Sequence, residues 1–259
     1  MNLSGLDFHS ILAFSLLFLR VTGLIFAAPF FGNTAVPKRT KVGLSLILSI
    51  FLFPFVPSSA PVPDSPLPIA LAAFRELLIG IILGFTVTML FEAVVFFGQI
   101  ISYQMGFAIV TSIDPESQQR VPIIGQLEYL LAILIFLAVN GHHLLLSGLY
   151  SSLTIIPLGG ASLRTPILSH LIDSAKSVFI IALRLGAPAI AALLLCSLTM
   201  ALMARAIPQM NVFLIGYPIR IGVGFLALAF GLHLLADDLS QLFRGLEIEI
   251  FTLLRFLTY

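Results

Sequence analysis

Six apolar runs, at residues 11–31, 42–56, 69–97, 127–150, 178–204 and 212–235, take up most of the chain. Runs of this kind leave a backbone few choices. In lipid every N–H and C=O must be satisfied within its own segment, so the runs are expected to be helices. A spanning helix takes about 20 apolar residues. Val42–Val56 falls short of that, and Pro54 cuts it further. The fourth run is interrupted by Asn140-Gly-His-His143. From Asp238 the pattern changes. Leu239, Leu242, Phe243, Leu246, Ile250, Leu253 and Leu254 recur at helical spacing, opposite Asp238, Gln241, Arg244, Gly245, Glu249 and Thr252. That is an amphipathic helix able to lie on a partner or an interface. Charged residues make up 10% of the sequence, against about 25% in a soluble domain. The expected fold is all-α: a polytopic, membrane-type set of helical hairpins with broken helices.

Composition narrows the function by exclusion. A net charge of +1 gives no electrostatic case for nucleic acid. The single cysteine, Cys196, rules out an internal disulfide and a cysteine-built metal site. The first ten residues hold Asp7 and no Lys or Arg, so the first apolar run is expected to stay rather than be cleaved as a leader. His142 and His143 are adjacent and expected on different faces of a helix. His233 and Asp237, at i and i+4, suit a structural hydrogen bond. No Ser-His-Asp spacing, phosphate loop or HExxH occurs; no enzyme, cofactor or metal is expected. Glu128, His142 and His143 could relay protons, which keeps a proton-coupled small-solute or ion transporter as the alternative. Nothing repeats them with the inverted symmetry usual in such transporters.

The loops give a partial topology. Pro37-Lys-Arg-Thr-Lys41 is the densest basic cluster, while residues 57–68 are rich in proline and carry no basic residue. The bias of Lys and Arg toward the cytoplasm places 37–41 inside, with the N-terminus and the proline loop outside. Arg164 and Lys176 then fall on the outer side, which fits six simple spans poorly. Pro37-x-Arg39-x-x-Val42-Gly43 recurs as Pro218-x-Arg220-x-x-Val223-Gly224, each proline opening an apolar helix where its missing N–H costs nothing.

Charges lie inside the apolar runs: Arg20, the pair Arg75-Glu76, Glu92, Arg184 and Arg220. Each costs about 2.5–3.5 kcal/mol at the centre of a membrane helix. Snorkelling accounts for Glu92 and for Arg75, but not for Arg20, which is deep in its run. These residues are expected to face partner subunits or water. Gly80-Ile-Ile-Leu-Gly84 fits a close helix contact.

One stretch breaks the apolar regularity. Residues 103–122 carry Gly106, Pro115 and Pro122 and a polar run from Asp114 to Arg120. A helix through Asp114-Pro115 or Val121-Pro122 is not expected. Its first half, with Met105, Gly106, Phe107, Ile109, Val110 and Ile113, is nonetheless apolar. Irregular apolar backbone has to be buried in protein or line a cavity, so the segment reads as a loop inside a pore, with Gly106 as a flexible point. The other reading is a connecting loop whose apolar half is the end of a helix. Near the C-terminus, Pro208, Asn211 and Pro218 are expected to break the chain into a helical hairpin, Asn211 capping the second helix.

Three stretches together carry a family resemblance: Arg20 to Gly43, including Pro37 and Arg39; Met105-Gly-Phe through Ile113-Asp-Pro115; and Arg205-Ala-Ile-Pro-Gln-Met-Asn211 through Arg220. With them the chain resembles the FliR family of flagellar export-gate subunits, which has counterparts in virulence type III secretion, over nearly its whole length. The resemblance implies an all-helical subunit in a hetero-oligomeric helical assembly with FliP and FliQ. FlhB would lie on the cytoplasmic side, with the other export apparatus components around it. The place would be the bacterial inner membrane, at the flagellar basal body, and the cargo unfolded export substrates. It also implies a FliP-like part at residues 1–170 and a FliQ-like hairpin at 171–259. Met105 to Pro115, Asp114 included, would plug the closed pore. Arg20, Pro37, Arg39, Arg75, Glu76, Arg184, Arg205, Asn211 and Arg220 would serve assembly.

Overall fold

The computed structural model describes residues 8–32, 36–57, 65–107, 123–160, 165–209 and 211–258. Among these there are seven α-helices and no strand: α1 (Phe8–Ala27), α2 (Lys38–Leu52, followed by a 3-10 turn Phe53–Phe55), α3 (Pro66–Met105), α4 (Ile123–Ala138), α5 (Gly141–Ile155), α6 (Thr165–Ala206) and α7 (Val212–Thr258). The all-α, membrane-type reading holds. Helices α1, α3, α6 and α7 are long and apolar enough to cross a membrane. As Asn140-Gly141 suggested, the fourth run is broken there: α4 and α5 meet at a bend of 65°. Asn140 takes the left-handed conformation, φ 59°, which few side chains other than Asn and Gly adopt readily.

Several boundaries differ from the sequence reading. The third run extends to Met105, and the fifth begins at Thr165. The sixth run and the amphipathic stretch after Asp238 form one helix of 47 residues. Pro218 opens nothing; it lies inside α7, as Pro188 lies inside α6. A proline inside a helix removes one N–H and so frees one carbonyl, four residues back. Here that was not enough to end either helix. The break between α6 and α7 is shorter than expected. It is made around Pro208, and Asn211 caps α7, its Oδ1 accepting from the Leu214 N–H at 3.2 Å. Pro37 does precede its helix, at the N-cap of α2.

The chain divides into two compact units. The first draws on residues up to 89, on 140–175 and on residues from 244 onward; the second on 90–139 and 176–243. In the first, α1 and α3 touch backbone to backbone. A Cβ at Gly23 would lie 2.5 Å from the Leu77 carbonyl oxygen, and one at Gly80 would overlap the Arg20 carbonyl. At Gly84 it would meet the Ala27 Cβ at 2.7 Å. The close contact read from Gly80 and Gly84 is therefore present, and its other side is Gly23. Further along, Thr88 Oγ1 donates to the Ala27 carbonyl at 2.6 Å and closes the end of α1. The second unit is built on aromatic packing. Phe91, Phe136 and Phe243 meet pairwise with ring centroids 5.2–5.5 Å apart. Gly98 faces Gly125, and Gly186 faces Phe97.

Candidate functional site

Arg20 is fully buried, and its guanidinium is almost fully used. Nε donates to Glu76 Oε2 at 2.5 Å. Nη1 donates to the Ser152 carbonyl at 2.9 Å and to its Oγ at 3.2 Å, and Nη2 to the Ile156 carbonyl at 3.1 Å. Those two carbonyls belong to the end of α5, where a cation is favoured; that of Ser152 also accepts the Ile156 N–H at 2.9 Å. The other oxygen of Glu76, Oε1, accepts the Gly159 N–H at 2.9 Å. One ion pair thus ties α1, α3 and α5 together with the turn after it. The close approach of α1 and α3 at Gly23 and Gly80 lets Arg20 and Glu76 meet so deep in the unit. The expectation that these two charges face partners or water differs from the structure, where they face each other.

The other residues assigned to assembly, and Glu92, are at the surface or near it. Arg75 is half-buried; Glu92, Pro37, Arg39, Arg205 and Asn211 are exposed. Arg184, also exposed, reaches Asp238 at 3.5 Å. Arg220 is half-buried, and no described residue bonds its buried Nε. His142 and His143 do not diverge: their ring centroids are 4.2 Å apart, with the planes tilted by 39°. His233 and Asp237 are both exposed, 3.6 Å apart. Glu128 is buried, with Oε2 lacking a partner among the described residues. No group of three His, Cys, Asp or Glu suited to a metal occurs among the described residues.

The orientation of helix α2 was not foreseen. It buries its polar stripe, Lys41, Ser45 and Ser49, and exposes Val42, Leu46, Ile47, Ile50 and Phe51. Each serine satisfies itself, Ser45 Oγ donating to the Lys41 carbonyl and Ser49 Oγ to that of Ser45. Lys41 Nζ donates to the Gly32 carbonyl at 2.7 Å and sits over the Phe26 ring. The i, i+4, i+8 spacing of these polar residues was the available signal. Read with solvent outside, it points the wrong way.

Of the proposed plug, the described residues are Met105, Gly106 and Phe107; Ile109, Val110, Ile113, Asp114 and Pro115 lie outside them, as does Pro122. Met105 is the last residue of α3 and is fully buried. Gly106 has φ 94°. Its N–H donates to the Tyr103 carbonyl at 3.1 Å, and that of Phe107 to the Ser102 carbonyl at 3.0 Å. This is the paired-bond stop known as a Schellman motif, for which glycine is the preferred residue. Gly106 is therefore a helix end: the helix takes in Tyr103–Met105 and stops there, before most of the apolar half.

The chain matches the bacterial export proteins, family 1, over residues 11–246. It is 37% identical over 221 residues to the flagellar biosynthetic protein FliR of Bacillus subtilis, covering 83% of this chain and 84% of that protein. With the FliR of Escherichia coli it shares 36% over 236 residues, 91% of this chain and 88% of the relative. With that of Pectobacterium carotovorum it shares 32% over 241 residues, 92% and 89%.

Proposed function

Because this chain belongs to the bacterial export proteins, family 1, the family of the flagellar biosynthetic protein FliR, we propose that it is a core subunit of a flagellar protein export gate. With FliP and FliQ it forms the channel for unfolded export substrates, next to FlhB, in the bacterial inner membrane at the basal body. It catalyses nothing itself. Residues 1–170 are its FliP-like part and 171–259 its FliQ-like hairpin.

One observation carries this reading. On α6, exposed apolar residues occur from Leu168 (61% exposed) to Leu202 (60%), and on α7 from Leu214 (75%) to Ile248 (74%), with Lys176 and Arg184 exposed among the first and Asp237, Arg244 and Glu247 among the second. At 1.5 Å per residue each set extends about 51 Å along its helix. The hydrocarbon of a bilayer is only about 30 Å thick. Lipid alone does not cover a surface of that length with charges inside it; a multi-subunit assembly does.

Residues Met105 to Pro115 close the resting channel. Phe107, Ile109, Val110 and Ile113 seal by excluding water, as in a hydrophobic constriction, and yield to an entering chain, while Met105, fully buried at the end of α3, holds the base of the segment. Removing several residues between 108 and 113 in an assembled complex is expected to make the inner membrane leak ions. An assembled, ion-tight complex with the shortened segment would place the seal in other subunits.

A further inference from the structure

The end of α3 is held against one stripe of α7. A Cβ at Gly106 would lie 2.6 Å from both Cδ1 and Cε1 of Tyr217, so this glycine is required by the room available as well as by its φ of 94°. Seven residues along α7, Gly224 gives way to Met105: a Cβ there would lie 2.6 Å from the Met105 Cγ and Sδ. Positions 217 and 224 are two turns apart and share a helix face. The last helical residue of α3 and the glycine that stops it therefore fit a notch and a ring on the same stripe. Tyr217 is an aromatic wall with little freedom to deform. Met105 is flexible, but it is fully buried, so any side chain at 224 must drive it elsewhere.

We propose that Tyr217 and Gly224 are positioning residues: α7 sets the direction in which the chain leaves α3, and so aims the segment that follows. This rests on the reading of that segment as the closing element of the channel. It gives the FliQ-like hairpin a second task besides assembly, since a shift of α7 would re-aim a segment that belongs to another part of the chain.

The test uses the assembled complex and measures ion leak across the inner membrane. Gly224→Leu is expected to raise the leak toward that of the complex with residues removed between 108 and 113. Adding Met105→Ala, which empties the space that the larger side chain at position 224 needs, is expected to restore tightness. A residue that mattered only for folding would lower the amount of complex without this pattern of leak and rescue. Where Gly224→Leu prevents assembly, Gly224→Ala is the milder variant and is expected to leak less. Gly106→Ala is expected to leak even when combined with Tyr217→Ala, because the second change makes room but leaves the positive φ. If the shortened complex leaks while Gly224→Leu stays tight, or if Met105→Ala fails to rescue, the positioning role is overturned and the plug reading stands. If the shortened complex is itself tight, the plug reading has failed. The thermal midpoints of Met105→Ala, Gly224→Leu and the double variant then decide: coupling between the two supports the hold of α7 on α3, and additivity overturns it.

Discussion

At the scale of single residues, Arg20 shows how a charge is made tolerable in an apolar unit. Removing one partner of a buried pair leaves the other uncompensated, at a cost of about 3–5 kcal/mol. Arg20→Leu strands Glu76 and also takes donors from the Ser152 and Ile156 carbonyls. It is expected to reduce sharply the yield and thermal midpoint of the purified complex. Arg20→Leu combined with Glu76→Leu should recover part of that loss, since no lone charge remains. A normal yield of Arg20→Leu complex with altered transport alone would show that the residue acts on substrate rather than structure. The depth of Arg20 in its run was legible in the sequence. Its partner was not: Glu76 is 56 residues away, and nothing in the spacing distinguishes it from Glu92, which is exposed. Lys41 was legible as part of a basic cluster, yet its burial depends on the turn after α1, which no local pattern announces.

Among elements, the glycines sort by what stands in front of them. Gly80 faces backbone, the Arg20 carbonyl and the Leu24 N, which cannot rotate away. Gly80→Ala is therefore expected to push α1 from α3 and to lower the thermal midpoint of the complex markedly. Gly245, inside α7, has nothing within 4 Å of an added Cβ. In a helix interior alanine is favoured over glycine by about 1 kcal/mol, so Gly245→Ala is expected to hold or raise the midpoint. A clear drop there would mark a subunit packed against that face. The contact at Gly80 and Gly84 could be read from sequence because small residues four apart form a flat stripe. The continuity of α7 could not, because proline is a strong breaker in general and only the surrounding packing decides whether the lost bond matters. The hairpin turn was legible at Asn211, whose side chain can supply the missing acceptor, and misread at Pro218.

For the whole molecule, the surface is the main fact. Exposed apolar residues on two helices reach farther than a bilayer is thick, with charges between them, and α2 turns its apolar side outward as well. A chain with such a surface is expected to be unstable alone and to co-purify with FliP and FliQ, while a transporter would be recovered alone or as copies of itself. Size-exclusion chromatography of the chain expressed with and without those two partners checks this. Recovery of a monodisperse, folded protein without them would favour the transporter. The all-helical class was legible from the length of the apolar runs. The two compact units were not, because α3, α6 and α7 each contribute to both. Helical periodicity shows which side of a helix is apolar but not which neighbour each part of it meets.

The first of those units has a consequence in time. Leu253, Leu254 and Leu257 are fully buried, Ile250 fits the space left by Gly148, and Glu249 meets His170 at 3.1 Å. Residues 244–257 thus finish a body that begins at α1. At a synthesis rate of about 5–20 residues per second, roughly 4–17 seconds pass between the making of residue 175 and that of the final turns of α7. Throughout that interval the earlier helices present an unfilled apolar face. The nascent chain needs a chaperone, the insertion machinery or an already assembled neighbour to occupy that face until its own last helix arrives.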